Sequence, residues 1–274
     1  MSEAAMAHHE HVSASERPRA LVVSGVSKTF GRGGSAVTAL EDVSFDVARG
    51  SFVSVLGPSG CGKSTLMRLI AGLQPASAGA IEVAGRPPEE MRRDREFGIV
   101  FQQPILFDWR TVEQNVALPL QVMGRPKEEA RARVDHMLDL VGLSEFRRHR
   151  PWQLSGGMQQ RVSIARALTF APPFLLMDEP FGALDMMTRE RMQTELLAIW
   201  ADNPGTTVVF ITHSISEAVL LSDRIVVMSA RPGRVLRVID VDLPRPRTDE
   251  TRDTKRFVDA EAEIRQLIFS QEGR

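Results

Sequence analysis

A nine-residue stretch rich in glycine, GPSGCGKST at residues 57–65, has the spacing of a loop that binds phosphate groups. Its glycines allow backbone N–H groups to wrap around phosphate oxygens, and the helix predicted to follow adds the positive end of its dipole. We expect Lys63 to bind the β- and γ-phosphates and Ser64 to offer its hydroxyl to Mg²⁺. The predicted binding residues are Gly57, Pro58, Ser59, Gly60, Cys61, Gly62, Lys63, Ser64 and Thr65.

Two acidic residues directly follow an apolar run in FLLMDEP, at residues 174–180. Four consecutive apolar residues are typical of a buried parallel strand, and ligands bind at the carboxyl ends of such strands. Asp178 therefore suits the coordination shell of Mg²⁺. Glu179 suits the polarisation of a water molecule that attacks the γ-phosphate. An acidic pair on the surface is the alternative interpretation.

The stretch LSGGMQQR, at residues 154–161, places two glycines directly after a serine at the start of a predicted helix. Glycine in a helix costs roughly 1 kcal/mol relative to alanine. The pair, Gly156 and Gly157, therefore indicates that a ligand comes very close to the backbone there. Ser155 is also a favourable helix N-cap, and the two roles are compatible.

The chain has one cysteine, Cys61, and it lies inside the phosphate loop. Backbone N–H groups around it are expected to favour the thiolate, as a helix N-terminus does. We therefore expect a bulky thiol reagent to inhibit the protein and a bound nucleotide to protect it, without any catalytic role for the thiol.

Strand-like and helix-like segments alternate along the chain, which predicts an α/β fold with a parallel sheet. Residues 20–85 are mostly strand-like, residues 104–170 read as a helical insertion, and strands return at Phe174. Near the end, Pro232 and Gly233 suit the two central positions of a type II turn between two strands.

Composition limits the classes of function. The 274 residues are 43% hydrophobic with a net charge of −1, which favours a large core and argues against nucleic acid as a partner. A single cysteine fits a reducing cytosol. The longest apolar runs are far shorter than the roughly 18 residues that span a bilayer, so any work at a membrane requires a membrane-embedded partner. Residues 1–19 contain His8, His9 and His11; a metal site is conceivable, and a disordered tail is favoured.

Taken together in this order, the phosphate loop, LSGGMQQR and LLMDEP resemble the nucleotide-binding subunit of ATP-binding cassette (ABC) transporters. The resemblance covers residues 20–240 and leaves a short C-terminal extension at residues 241–274. It implies a P-loop NTPase (RecA-like) core with an antiparallel β subdomain and an inserted α-helical subdomain. It also implies a homodimer in which each ATP lies between the phosphate loop of one copy and Ser155, Gly156 and Gly157 of the other. Met158 replaces the glutamine that is commonest in the family.

Other family positions match residue by residue. Gln102 resembles the glutamine that links Mg²⁺ and the attacking water to the helical insertion, with Gln103 as the alternative. Asp185 resembles the aspartate that crosses the dimer interface, and His213 resembles the histidine that contacts the γ-phosphate. Phe30 stands where an aromatic residue, usually tyrosine, stacks on adenine; an ordinary packed strand residue is the alternative.

The implied activity is ATP hydrolysis, with ATP and Mg²⁺ as cofactors, by a peripheral subunit on the cytoplasmic face of the cell membrane. The implied partners are permease subunits and, indirectly, a secreted substrate-binding protein. We expect Ile105, Leu106, Phe107 and Trp109 to offer the permease an apolar surface; burial of some of them in the protein's own core is the alternative. FDWRTVEQNV and the region around ARPGRV look most like importers of nitrate, sulfonate and taurine. The alternatives are an importer of another small solute, such as a pyrimidine precursor, and a soluble ATPase of this superfamily that acts on DNA or ribosomes.

Overall fold

The computed structural model describes residues 18–31 and 36–272, so the tail predicted at residues 1–19, with its three histidines, lies almost entirely outside the described residues. The strands are β1 (Arg19–Phe30), β2 (Val37–Ala48), β3 (Phe52–Leu56), β4 (Ala78–Val83), β5 (Phe97–Val100), β6 (Phe174–Asp178), β7 (Thr207–Thr212), β8 (Arg224–Met228) and β9 (Val235–Asp240). The helices are α1 (Lys63–Ile70), α2 (Pro88–Arg93), α3 (Val112–Val122), α4 (Lys127–Leu140), α5 (Gly156–Leu168), α6 (Met186–Asp202), α7 (Ile215–Leu221) and α8 (Lys255–Glu272).

The described strands form two sheets. The smaller is antiparallel with the order β2-β1-β4, and the larger has the order β5-β6-β7-β3-β8-β9. In the larger sheet every pairing is parallel except the last, because β9 returns antiparallel to β8 through a short turn. This arrangement confirms the predicted P-loop NTPase fold with an antiparallel β subdomain.

Both faces of the central strands β3, β6 and β7 are buried, which explains their uninterrupted apolar runs. Alternate residues of a strand point to opposite faces. Phe52 and Leu56 of β3 accordingly join one core, with residues of α5, α6 and α7. Val53 and Val55 join a second core, with α1 and the smaller sheet.

Helices α3, α4 and α5 lie between β5 and β6 and form the predicted helical insertion. Helix α3 begins at a capping box, in which the Thr111 hydroxyl accepts from Gln114 N and the Gln114 amide oxygen accepts from Thr111 N. Helix α4 buries the side chains of Val134, Met137 and Leu138. None of the described helices has the length and apolarity needed to cross a bilayer.

The turn between β8 and β9 is not the predicted type II turn. That turn requires a positive φ at its third residue, and Gly233 does not have one; the Arg231–Pro232 peptide is also cis. The backbone is set by long-range contacts instead, since Gly233 N donates to Ala39 O at 2.9 Å and Gly233 O accepts from Glu41 N at 3.0 Å. Local residue preferences alone could not have revealed these contacts.

A buried arginine ties the C-terminal segment to the sheet domain. Arg247 is almost fully buried and donates to the carbonyl oxygens of Val219, Leu220 and Ser222 at the end of α7, and to Leu243 O. Burial lowers the pKa of Arg247 to about 10, so the guanidinium remains a cation at neutral pH. Its positive charge faces the negative end of the α7 dipole.

We predict that Arg247→Met destabilises the protein by about 3 kcal/mol, because several buried carbonyl groups lose their donor. Urea unfolding followed by tryptophan fluorescence measures this change. Arg265→Met is the matched control, since Arg265 lies exposed on α8 with a 4.0 Å ion pair to Glu261, and should change stability by less than about 0.5 kcal/mol. Equal stability of the two variants would contradict the structural role of Arg247.

Candidate active site

The phosphate loop connects β3 to α1 and encloses the ammonium group of Lys63. Lys63 is almost fully buried, and its Nζ donates to Gly57 O at 2.8 Å and to Pro58 O at 2.9 Å. A cleft of about 410 Å³ lies in front of the loop. Its lining residues are Phe30, Val37, Ala39, Ser59, Gly60, Gly62, Lys63, Ser64, Thr65, Gln102, Glu179 and Arg231. The loop and the predicted adenine-binding residue thus share one cavity.

Asp178 and Ser64 meet beside this cleft. Asp178 is the last residue of β6 and is nearly fully buried. Burial raises the pKa of Asp178, against a hydrogen bond from Ser64 that lowers it. Asp178 Oδ1 is buried without a hydrogen-bond partner among the described residues. A buried carboxylate oxygen with no donor, beside a serine hydroxyl, fits the oxygen ligands that Mg²⁺ prefers.

Glu179 is the point on which two other predicted residues converge. Its backbone has φ +46°, an uncommon value for a residue other than glycine, and Glu179 N donates to Ile211 O at 2.9 Å. Gln102 Nε2 donates to Glu179 Oε2 at 3.3 Å, and His213 Nδ1 lies 3.1 Å from the same oxygen. Gln103, the alternative to Gln102, makes no such contact with Glu179. The carboxylate is therefore oriented from two directions at the cleft wall.

A buried glutamate supports the turn that carries His213. The Thr212 hydroxyl donates to Glu217 Oε2 at 2.5 Å, and Gln193 Nε2 of α6 donates to Glu217 Oε1 at 3.2 Å. Burial raises the pKa of Glu217 above its ordinary value, against the hydrogen bond from Thr212. Sequence reasoning missed Glu217, because its spacing in an amphipathic helix resembles that of an ordinary surface residue.

Phe30 ends β1 and is not packed in the core. Its ring is 42% exposed and lines the cleft, and Lys28 Nζ lies 5.2 Å from the ring centroid. The alternative of an ordinary buried strand residue therefore does not hold. An exposed ring at the rim of a cleft offers a planar face to an aromatic base.

The LSGGM residues lie outside this chain's own cleft. Ser155 caps α5 by accepting from Met158 N at 3.3 Å. A Cβ at Gly157 would lie 3.2 Å from Ala183 O, so packing within the chain already restricts that position. A Cβ at Gly156 would meet nothing within 4 Å. No contact among the described residues accounts for Gly156.

Asp185 also lies apart from the cleft, at the N-cap of α6. Its side chain accepts from Thr188 N at 3.0 Å, and this hydrogen bond lowers the pKa of Asp185. The next two residues, Met186 and Met187, are 67% and 71% exposed. Adjacent exposed methionines beside an acidic cap form an apolar surface next to the predicted interface residue.

The segment after Gln102, at residues 103–109, is partly exposed and is fixed by hydrogen bonds to α3. Ile105 is 56% exposed and Trp109 is 68% exposed, while Leu106 and Phe107 are half-buried. Buried Asn115 holds this segment, since its Oδ1 accepts from Phe107 N at 2.9 Å and its Nδ2 donates to nearby carbonyl groups. Part of the predicted apolar cluster is thus open on the surface.

Helix α5 is connected directly to the segment that carries Gln102. Gln160, within LSGGMQQR, is fully buried, and its Nε2 donates to Phe101 O at 3.1 Å. A buried side chain thus joins the two segments by a hydrogen bond.

The structure contradicts the expectation that Cys61 is a thiolate. Its side chain is only 1% exposed, and burial raises the pKa of the thiol, outweighing the lowering effect of Lys63. The predicted thiolate is wrong, because burial of the thiol outweighs the charge of Lys63 and the backbone N–H groups of Cys61 and Lys63, all of which favour the thiolate.

The fold and the cleft define a P-loop ATPase. A family model described as ABC transporter matches residues 40–182. The taurine import ATP-binding protein of Rhizobium johnstonii is 49% identical over 247 residues, covering 88% of this chain and 93% of that protein. The aliphatic sulfonates import ATP-binding protein of Bacillus cereus is 42% identical over 249 residues, covering 91% and 94%.

A solved structure shows the same fold. The dimeric ATP-binding cassette MJ0796, bound to ADP and Pi, matches with a TM-score of 0.74 and 36% identity over 82% of this chain and 100% of that chain. The chain belongs to the ABC transporter family, as an ATP-binding subunit.

We predict that a bulky maleimide labels native Cys61 at least about 10-fold more slowly than it labels the urea-unfolded protein at pH 7.5, because the thiol is buried and its pKa is raised. Labelling should accelerate only at a pH above the ordinary cysteine range. Mass spectrometry after timed quenching measures both rates. Equal rates in the native and unfolded protein would show that the thiol is accessible.

Proposed function

We propose that the chain binds Mg²⁺-ATP in the cleft and hydrolyses it with Glu179 as the general base. The convergence of Gln102 and His213 on Glu179 Oε2, beside the phosphate loop, carries this proposal. A carboxylate held in this way can accept a proton from a water molecule positioned in front of the γ-phosphate. Gln102 and His213 orient the carboxylate and the water.

The remaining residues have complementary roles. Lys63 and the backbone N–H groups of the loop bind the phosphates, and Phe30 stacks on the adenine. Ser64, Asp178 and Gln102 hold Mg²⁺, which neutralises charge that develops on the phosphate oxygens. Asp178 Oδ1 supports this role, since a buried acceptor without a donor is satisfied by a cation.

We propose further that two copies of the chain form the functional unit. Ser155 and Gly156 are exposed at the N-terminus of α5, outside the chain's own cleft, where a helix favours an anion. The γ-phosphate in the cleft of a second copy supplies that anion. Exposed Met186 and Met187, beside Asp185, fit a surface that this second copy covers.

The partner in the membrane is a permease, and its docking surface centres on Ile105 and Trp109. Asn115 holds that segment, and the segment begins beside Gln102. A short helix of the permease fits an apolar surface of this kind. The chain then lies as a peripheral subunit on the cytoplasmic face of the cell membrane, and a secreted substrate-binding protein delivers the solute to the complex.

The proposed solute is taurine or a related small sulfonate. Relatives named for the import of taurine and of aliphatic sulfonates are 49% and 42% identical to this chain over most of its length. A small sulfonate source of sulfur therefore comes before nitrate as the first substrate to test.

We predict that Glu179→Gln binds ATP normally but lowers turnover by about 10²- to 10⁴-fold, because the amide cannot accept the proton. Phosphate release by the complex with its permease measures turnover, and gel filtration with ATP should show an accumulated dimer. Glu82→Gln is the control, since Glu82 lies exposed on β4. Turnover within about twofold of the parent protein would remove Glu179 from the catalytic role.

We predict that deletion of the gene in its host abolishes growth on taurine or an alkanesulfonate as sole sulfur source, while growth on sulfate is unchanged. Trp109→Asp should fail to restore growth, although the purified variant binds ATP, because a charge at this surface opposes docking. Val258→Asp is the matched control, since Val258 is also exposed but lies on α8. Normal growth of the deletion strain on each sulfonate would contradict the proposed substrate class.

A further inference from the structure

The turn between β8 and β9 packs directly on the phosphate loop. A Cβ at Gly233 would lie 2.1 Å from Cys61 O, a distance that excludes any side chain. Two backbone hydrogen bonds to β2, through Ala39 O and Glu41 N, hold the same residue from the other side. The backbone of the turn is therefore fixed relative to the loop, which places Arg231 beside the cleft.

Arg231, on this turn, reaches into the wall of the cleft. Its Nε donates to Gly60 O at 3.2 Å, and the residue lines the same cavity as Lys63, Ser64 and Glu179. Guanidinium has five N–H donors in a planar fork, and only one of them is used in this contact. No carboxylate among the described residues pairs with Arg231, so its charge is not neutralised within this part of the chain.

A second arginine on the same turn behaves differently. Arg234 Nη2 lies 2.7 Å from Glu41 Oε1, and Arg234 does not line this cleft. The turn thus carries one arginine paired with an acid and one that lines the cavity without an acidic partner among the described residues. Holding a cation unpaired at the wall of a cavity is favourable when the ligand of that cavity is an anion.

We propose that Arg231 is a further nucleotide-binding residue, which binds the phosphate chain of ATP from the side of the cleft formed by β8. This proposal rests on the proposed binding of ATP in the cleft. Arg231 then acts with Lys63 as a second cation, and its fork suits two oxygens of the phosphate chain. The hydrogen bond to Gly60 O orients the guanidinium before the ligand arrives, which reduces the entropy lost on binding.

The test compares ATP affinity among variants of the full chain by isothermal titration calorimetry with Mg²⁺. Arg231→Ala should weaken ATP binding roughly 10-fold, the scale of a charge-assisted hydrogen bond. Arg231→Lys should recover part of the loss, because it restores the charge but not the fork. Arg234→Ala should bind ATP as the parent protein does. Binding of adenosine should be the same in all four proteins, since adenosine has no phosphate.

Two results would overturn the assignment. One is ATP affinity of Arg231→Ala equal to that of Arg234→Ala while the parent protein binds ATP. The other is an Arg231→Ala protein whose melting temperature without nucleotide falls and whose affinity Arg231→Lys does not restore, because Arg231 would then only support the loop. If the parent protein itself did not bind ATP, the proposed function would fail and this assignment would fail with it.

Discussion

The site depends on one constraint: adjacent parallel strands all end at the same edge of a sheet. In the order β5, β6, β7, β3 and β8, successive strands lead into Gln102, Glu179, His213, the phosphate loop and the Arg231 turn. These segments are far apart in the chain, yet the hydrogen-bond ladder brings the ends of adjacent strands to one edge of the sheet, about 5 Å from strand to strand. Any slip in register would move a site residue off this edge and turn its neighbours to the wrong face.

The same arrangement connects the cleft with the exposed surface of the helical insertion. Gln102 touches Glu179 at one end of its segment, and exposed Trp109 lies seven residues further along. Asn115 holds that segment to α3, and Gln160 holds its start to α5, the helix whose N-terminus presents Ser155 and Gly156. The segment that starts beside Gln102 is thus tied by hydrogen bonds to α3 at one end and to α5 at the other.

The parts of the site that the sequence predicted are those that depend on short-range order. The phosphate loop, Asp178 and Glu179 stand next to strands whose apolar runs are visible without a structure, and the predicted strand-loop-helix order is correct. Arg231 and Glu217 could not be found in this way, because their roles come from neighbours more than a hundred residues away or on another helix. The predicted ionisation of Cys61 was wrong for a related reason, since the depth at which the fold buries the thiol decides whether neighbouring N–H groups and Lys63 can stabilise a thiolate. The prediction of a type II turn was wrong because β2 and the phosphate loop hold Gly233 in a conformation that its own residue type does not require.

The charged groups around the cleft differ in how fully they are hydrogen-bonded, and the difference costs free energy. Lys63 is bound by two carbonyl oxygens, whereas Asp178 Oδ1 has no donor among the described residues. Leaving a buried acceptor without a partner costs about 1–3 kcal/mol, and more when the group is charged. A ligand that brings both a cation for Asp178 and anionic oxygens for Lys63 relieves the first cost and gives the ammonium group partners of opposite charge in place of neutral carbonyl oxygens. Neither an anion alone nor a cation alone can do both, which supports the proposal that Mg²⁺ and the phosphate chain bind together.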